Sequence, residues 1–416
     1  MPARMHNGFN SLRPHARFLV FGFLLSFWSG FGQTYFIALF GGAIREQFSL
    51  SSGEFGSIYS LGTLGGAAAL VYLGRLIDRV DLRLYAVLVS FALAVGCTIL
   101  WQANSIPMLI VAMFALRLAG QGLMTHTALT AMGRYFDEAR GRAVSVATVG
   151  HPVGEALWPR IAVISIAYFG WQTSWAIYAL ATAVLLPPLV LWLLRGHGDR
   201  HDAYLARAEL VKETRSLQSQ RASGRPGLVL ESRTWRLLPS LVALPFIITG
   251  LFIHQNEVIA QKDWSLALIA NAFIAYSLAA MIAMLIAGPL IDRVSAVRAC
   301  RLGLVPMMLG VGALVGLTGP IGAFAYLFLA GLSAGMMSTI FGTIWAELYG
   351  TSRLGAVRAL SHAAMVFFSA LGPICMGFAL DAGISVDSIA LACVVYMLMA
   401  TVLASTVTTE TKPIAA

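Results

Sequence analysis

Gly74-Arg75-Leu76-Ile77-Asp78-Arg79-Val80 decides the fold of this chain, because nearly the same string returns as Gly288-Pro289-Leu290-Ile291-Asp292-Arg293-Val294. Each copy stands where a long apolar run gives way to charged residues, so we predict a turn between two helices at each. Three further pairs keep the same offset of 214 residues: Tyr135 and Tyr349, Gly141 and Gly355, and Pro159 and Pro373. A register that persists so far from the motif indicates a duplicated chain of two like halves.

The composition is that of a membrane protein that crosses the bilayer many times. Hydrophobic residues make up 58% of the chain and charged residues only 11%, against about 25% charged in soluble proteins. The net charge of +9 is explained by basic loops that orient the protein, so we expect no nucleic-acid partner. The four cysteines form no close pair, which indicates neither a disulfide framework nor a metal site.

Apolar runs long enough to cross a bilayer are predicted twelve times. They lie near residues 18–40, 55–74, 84–102, 107–131, 143–168, 172–194, 237–256, 264–290, 299–318, 321–346, 356–380 and 386–407. The first lacks a clear cleavage site and is longer than a signal core, so we interpret it as a span, followed by a short loop with Arg45 and Glu46. The prediction is an all-α protein of two six-helix halves, 1–194 and 237–416, joined by a central loop at 195–236.

Basic residues concentrate in the loops on one side of the predicted spans. These are Arg75, Arg79, Arg83, Arg134, Arg140, Arg142, Arg293, Arg298, Arg301 and Arg353, whereas the opposite loops offer little beyond Arg45 and Lys262. By the positive-inside rule, both termini and the central loop are expected in the cytoplasm, and the protein in the cell (inner) membrane. In that loop a surface helix is predicted from Ala203 to Gln220, either as a regulatory or partner site or as a plain linker that touches headgroups.

Several chemistries are not supported by any motif. There is no G-x-x-x-x-G-K-[ST] string for a nucleotide, no nucleophile-base pair and no metal-ligand spacing. We therefore expect no enzyme activity, no cofactor and no metal. Any transport must be driven by ion or solute gradients.

Twelve spans in two halves, a basic central loop and the repeated G-x-L-x-D-R turn together resemble the major facilitator superfamily of secondary transporters. The resemblance implies parallel repeats related by an axis along the membrane normal, with substrate binding near the midplane and alternating access. It also implies that the turn residues form a charge network that gates the cytoplasmic face. These residues are Gly74, Asp78, Arg79, Arg83, Gly288, Asp292 and Arg293. The alternative is that their charges only fix topology.

In span 4, Arg117-Leu118-Ala119-Gly120-Gln121-Gly122 resembles the R-x-x-x-Q-G pattern of proton-coupled members of that superfamily. An arginine in the membrane costs roughly 3 kcal/mol or more, so Arg117 needs a partner. That partner is either an anionic substrate, with Gln121 beside it, or a set of helix carbonyls in a purely structural site.

Span 5 carries the densest polar cluster, with His151, Glu155 and Arg160. His151 and Glu155 are four residues apart, share a helix face and can pair or pass a proton. The cluster resembles only in part the glycine-proline motif of drug/proton antiporters, because His151 and Glu155 replace its glycines. The preceding string from Tyr135 to Ala143 resembles instead the approach to span 5 in monocarboxylate-transporter-like members.

Several further polar residues have two possible roles, a functional role in the transport pathway and a structural role in helix packing. Gln33 and Tyr35, with Trp28, are expected either to line the cavity or to pack span 1 against its neighbours. His254, His126 and His362 each either titrate near neutral pH or are satisfied core residues.

The resulting hypothesis is a transporter that moves a small organic anion, a carboxylate, together with protons. Arg117 and Arg160 would bind the carboxylate, and Glu155 with His151 would carry the proton. The alternative is a drug or amphipathic-compound:proton antiporter that works in efflux, and a third class is a membrane sensor or enzyme on the same scaffold. The expected partners are the solute, protons and the lipid bilayer, and the protein is expected to act as a monomer.

Overall fold

The computed structural model describes residues 15–136, 139–205, 232–349 and 354–407. These residues are almost entirely helical and contain no strand, so the all-α prediction is confirmed. The first half contains α1 (Ala16–Trp28), α2 (Thr34–Ile37), α3 (Gly41–Phe48), α4 (Ser52–Leu73), α5 (Leu82–Trp101), α6 (Ile106–Leu116), α7 (Thr125–Tyr135) and α8 (Arg140–Leu193). The second contains α9 (Ser232–Ile253), α10 (Gln255–Lys262), α11 (Leu266–Val294), α12 (Ala296–Gly303), α13 (Val305–Gly316), α14 (Gly319–Tyr349), α15 (Leu354–Asp381) and α16 (Val386–Ser405).

The described helices account for the predicted spans. Ten are long and apolar enough to cross a membrane, and an eleventh span is the bent pair Ala16–Gly32 and Thr34–Phe48. The long helix α8 contains predicted spans 5 and 6, which meet at Gly170, where φ is 74°. With its two arms counted separately, the described helices supply twelve spans, one at the place of each predicted apolar run.

Span 1 is broken, although its composition predicts one continuous helix. A 3₁₀ turn at Ser29–Gly32 leads to Gln33 in an extended conformation, and the two arms meet at 42°. Gly30 and Gly32 within the 3₁₀ turn lower the helix propensity there. The predicted loop at Arg45 and Glu46 is wrong, since both residues lie in α3, which continues the bent span.

The two copies of the repeated string differ in structure. The first forms a 3₁₀ turn, Gly74–Asp78, between α4 and α5. The second is helical to its end, so the predicted turn there is wrong: α11 continues to Val294, and the chain reverses at Ser295, whose φ is 86°. The Ser295 hydroxyl then accepts the N–H of Arg298 and caps α12.

The described residues divide into two compact units. Unit 1 comprises Met1–Ile44 and Leu61–Arg221, and unit 2 comprises Arg45–Ser60 and Ala222–Ala416. In unit 1, α8 packs against both α1 and α5; in unit 2, α11 packs against α14 and α9 against α15. Residues 45–60 thus pack with unit 2, although the sequence places them in the first half.

After span 6 the chain turns back over the end of unit 1. A helical segment at 197–205 places the Arg200 guanidinium 4.7 Å from the Phe18 ring, and the Tyr135 hydroxyl lies 3.1 Å from His201 Nδ1. Burial lowers the pKa of His197 to about 4, so this ring is neutral at physiological pH. The rest of the predicted 203–220 surface helix lies outside the described residues.

Spans 1 and 4 touch through their backbones at two glycines. A Cβ on Gly120 would lie 2.6 Å from the Gly32 Cα, closer than real side chains approach. Gly133 lies on the same span and has open space around it. The glycine at position 120 is therefore required by contact with span 1, and the one at 133 is not.

We expect Gly120→Val to destabilise unit 1 by about 1 to 3 kcal/mol, because overpacking at this contact must push the two spans apart. The matched control Gly133→Val, at a position with open space, should be neutral or slightly stabilising, because valine has a higher helix propensity than glycine. Thermal unfolding of the purified protein in detergent measures both. Equal midpoints for the two variants would contradict the backbone contact.

Candidate functional site

The polar cluster of span 5 lies inside unit 1. The Glu155 side chain is 10% exposed, the His151 side chain is 38% exposed, and His151 Nε2 lies 3.4 Å from Glu155 Oε1. The helical spacing that predicted their pairing is thus realised. The carboxylate is enclosed, while the imidazole next to it reaches open space, so the imidazole is the accessible member of the pair.

Tyr35 joins this cluster because span 1 is broken just before it. Its ring centroid lies 6.0 Å from that of His151, and a Cβ on Gly154 would lie 3.2 Å from the Tyr35 hydroxyl. The Trp158 indole donates a 2.8 Å hydrogen bond to the Phe27 carbonyl and fixes α8 against α1. Tyr35 therefore occupies space that glycine leaves open between spans 1 and 5.

Arg117 is 3% exposed and begins a π-helical segment, Arg117–Met124. Its Nη1 donates to the Gly32 carbonyl at 2.9 Å and lies 3.5 Å from Thr34 Oγ1, and its Nε donates to Thr63 Oγ1 at 3.0 Å. These are the contacts expected of a structural arginine that holds the break in span 1. A substrate contact for Arg117 stays a prediction.

The other predicted pathway residues are dispersed. Gln33 is buried and donates to the Ser29 hydroxyl at 3.3 Å, while Gln121 is half-buried in the π-helical segment. Arg160 is exposed on the helix face of Leu157 and Ile164, away from Glu155, and has no hydrogen-bond or ion-pair partner among the residues described. The structure brings together His151, Glu155 and Tyr35, and does not bring Arg160 to them.

The structure shows the surroundings of the three histidines for which a titrating role or a core role was predicted. His254 is buried and its Nε2 lies 2.8 Å from the Pro373 carbonyl in unit 2, where it ends α9. His126 Nε2 lies 3.1 Å from the Gly74 carbonyl, which ties span 4 to the motif turn. His362 is exposed on α15.

The motif charges behave differently in the two copies. Asp78 forms an ion pair with Arg134 at the end of α7, and Arg134 also donates to the Ile77 carbonyl at 3.0 Å. Arg83 pairs with Asp81 at 3.1 Å, and its side-chain hydrogen bonds hold the pKa of Asp81 below its usual range. Arg79 is exposed. The sequence counted Arg134 only as a loop charge, so this partner of Asp78 was missed.

In the second copy, Gly288 faces open space, and Asp292 and Arg293 are exposed without an ion-pair partner in the part of the chain described. A different acidic residue binds the backbone after this string. Glu347 accepts the Ala296 N–H at 2.6 Å, at the start of α12. The gating role of both copies stays a prediction; within the described ranges, only the first copy carries an ion pair across helix ends.

A polar network in unit 2 was not identified from the sequence. Asp381 accepts the N–H groups of Ser52 at 2.9 Å and Gly53 at 2.8 Å, where a carboxylate complements the positive end of α4. Arg45 forms an ion pair with Glu257, which also accepts the Ser52 hydroxyl at 3.3 Å. The Ser51-Ser52-Gly53-Glu54 string signals a helix start, but it does not reveal a partner 329 positions away.

Comparison with known proteins supports the same architecture. A sequence model of the Major Facilitator Superfamily matches residues 22–269, more than half of the chain. The chain belongs to this superfamily. Members of this superfamily are multi-pass membrane transporters of small solutes, and the predicted resemblance to the superfamily is confirmed.

Two solved transporters share the fold of this superfamily member. A bacterial homolog of the human lysosomal transporter Spinster superposes with a TM-score of 0.70 at 14% identity, over 94% of this chain and 96% of that one. The nucleoside transporter NupG superposes with a TM-score of 0.66 at 14% identity, over 93% and 98%. At such identities the likeness concerns the fold alone.

A curated relative is the 3-(3-hydroxy-phenyl)propionate transporter of Escherichia coli (strain K12). It is 29% identical over 184 residues, which cover 42% of this chain and 43% of the relative. The match therefore spans less than half the length of either protein. Among the described residues of this transporter, no group of acidic, histidine or cysteine side chains could hold a metal ion.

The two copies of the motif should respond differently to loss of their aspartates. An ion pair that is partly exposed contributes up to about 1 kcal/mol, so Asp78→Asn should speed amide exchange in the 74–80 turn by up to about fivefold. Asp292→Asn, which breaks no ion pair in the described structure, is the matched control. Hydrogen-exchange mass spectrometry measures both, and unchanged protection of 74–80 in Asp78→Asn would contradict the role given to its ion pair.

Proposed function

We propose that this superfamily member is a secondary active transporter that moves a small organic carboxylate together with protons. The observation that carries the proposal is the His151–Glu155 pair, an enclosed carboxylate 3.4 Å from a partly exposed imidazole. A transporter driven by protons needs a group that gains and loses a proton inside the protein. Glu155 meets that requirement, and His151 supplies its route.

Protonation of Glu155 would be linked to conformation through the cost of burying charge. A neutral carboxyl is tolerated in an apolar setting, whereas a carboxylate requires a compensating partner or water. His151 provides that partner only while the two side chains stay together. A state in which they separate therefore favours the protonated form, which is the linkage that proton coupling requires.

The choice of a carboxylate as the solute has two supports. Arg117 is a buried cation in span 4 that donates to neutral oxygens, and a cation inside a span favours an anion nearby; Arg160 is exposed on another face of span 5 and adds no such support. The Escherichia coli relative is named as a transporter of an aromatic carboxylic acid. Aryl-substituted propionates are accordingly the first solutes to examine.

We also propose the cell (inner) membrane as the location, with both termini cytoplasmic, on the strength of the arginine-rich loops of one face. The transporter is proposed to act as a monomer. The competing proposal, export of amphipathic compounds in exchange for protons, is supported by Pro152 and Pro159 within span 5. The experiment below separates the two by the solute moved and the direction of the gradient that drives it.

The test is uptake of labelled 3-phenylpropionate into proteoliposomes, with and without an acid-outside pH gradient. The wild type should accumulate the label only with the gradient. Glu155→Gln should lose accumulation, because its side chain cannot cycle a proton, yet retain exchange of labelled for unlabelled solute. His151→Gln should slow accumulation about tenfold or more without abolishing exchange, as expected for loss of a proton relay.

Glu46→Gln is the control, because Glu46 is an exposed acid remote in sequence from span 5. It should accumulate solute like the wild type. Gradient-driven accumulation that survives in Glu155→Gln would place the coupling elsewhere. Export of amphipathic cations, with no carboxylate uptake in the wild type, would overturn the proposal in favour of the antiporter.

A further inference from the structure

Unit 2 contains a cavity of about 590 Å³ between the start of α9, the end of α14 and the first half of α15. This volume is within the range of about 300 to 1,000 Å³ that is usual for small-molecule sites. Its wall includes Trp345, Leu360, Phe367 and Phe368. The sequence motifs lie elsewhere, and none of the predicted site residues lines it.

The wall is suited to an apolar, ring-bearing group. Phe367 and Phe368 meet edge to face with ring centroids 5.5 Å apart, and Trp345, the third aromatic residue named in the wall, is fully buried. The two hydroxyl side chains of the lining are already engaged: Ser361 donates to the Arg358 carbonyl at 3.1 Å, and Thr234 is bonded to the Tyr349 hydroxyl. Aromatic faces offer stacking and edge contacts to a ring beyond simple burial.

A positive charge is adjacent to this apolar wall in the chain: Arg358 is exposed and does not itself line the cavity, but it is next to a residue that does. Arg358 follows the lining residue Val357 on α15, and its guanidinium donates to the Gly342 carbonyl of α14, one turn before Trp345. It therefore bridges the two helices that form the wall. Arg358 has no carboxylate partner in the ranges the structure describes, so its charge is available to an anion, and a guanidinium binds a carboxylate with two parallel hydrogen bonds.

We propose that this cavity holds the apolar body of the transported carboxylate and that Arg358 pairs with its carboxyl group. The site selects amphipathic acids that carry an aryl or bulky aliphatic group over short acids such as acetate. This inference rests on the proposed function and adds the residues that would bind the carboxylate and select among acids. Ala364, a small lining residue between Leu360 and Phe368 on α15, leaves the room that the ring would fill.

The test is equilibrium binding of labelled 3-phenylpropionate to the purified full-length transporter in detergent, without any gradient, together with competition by acetate. The wild type should prefer phenylpropionate by about tenfold or more, as expected from burial of the added apolar group. Ala364→Trp should fill the cavity and weaken phenylpropionate binding by about tenfold, with Ala364→Leu intermediate. Acetate competition should be little changed in either variant.

Arg358→Gln should weaken binding of phenylpropionate and acetate alike by about tenfold, and Arg358→Lys should recover only part of it, because an ammonium lacks the forked geometry. Matched controls exist in the same unit: Ala359→Trp on an exposed position of α15 and Arg298→Gln at an exposed arginine. Both should bind like the wild type. Thermal unfolding midpoints confirm that each variant is folded.

The outcomes separate the two proposals. Wild-type accumulation of phenylpropionate under the pH gradient, with Ala364→Trp and Arg358→Gln binding like their controls, overturns the cavity assignment and leaves proton-coupled transport standing. Selective loss of phenylpropionate in Ala364→Trp, with loss of both acids in Arg358→Gln, supports it. If the wild type moves no carboxylate, the proposed function fails, and the cavity assignment fails with it.

Discussion

A break in a membrane helix must find hydrogen-bond partners inside the protein, because the hydrocarbon core offers none. Span 1 breaks at Gln33, and Arg117 meets the requirement by donating to the Gly32 carbonyl. The hydroxyls of Thr63 and Thr34 then hold the guanidinium in place. Without a donor at this point, the break would leave a backbone acceptor unpaired, at a cost of several kcal/mol. The bent shape of span 1 thus depends on one buried arginine of span 4.

The same break places Tyr35 next to His151 and Glu155 in unit 1. The change of direction after Gly32 turns Tyr35 toward span 5, where glycines at 30 and 154 leave space for its hydroxyl. His151 and Glu155 lie on the facing helix surface, with the acid enclosed and the imidazole partly open. A straight span 1 would not carry Tyr35 into that space. Arg117 thereby affects the position of Tyr35 beside His151 and Glu155 through the backbone of span 1.

Features set by local sequence were predictable, and features set by distant partners were not. Hydropathy located the spans, because each apolar run must cross about 30 Å of hydrocarbon whatever its neighbours are. The i, i+4 spacing predicted the His151–Glu155 contact, because helix geometry alone brings such residues together. The break in span 1 depends on Arg117, some 85 positions from Gly32, and the cap on α4 depends on Asp381. The sequence around Gly32 and around the start of α4 contains no signal that identifies Arg117 or Asp381 as the partner.

The repeated string shows why similar sequences can take different structures in the two halves. In the first copy, glycine starts a 3₁₀ turn whose Asp78 is held by Arg134. In the second, α11 continues through the string, and Glu347 binds the backbone that follows it. An ion pair between helix ends is broken or made by helix movement, whereas an acid on a helix start mainly fixes that start. Among the described residues, the first copy therefore carries an ion pair between helix ends, whereas the acid near the second copy fixes the start of α12.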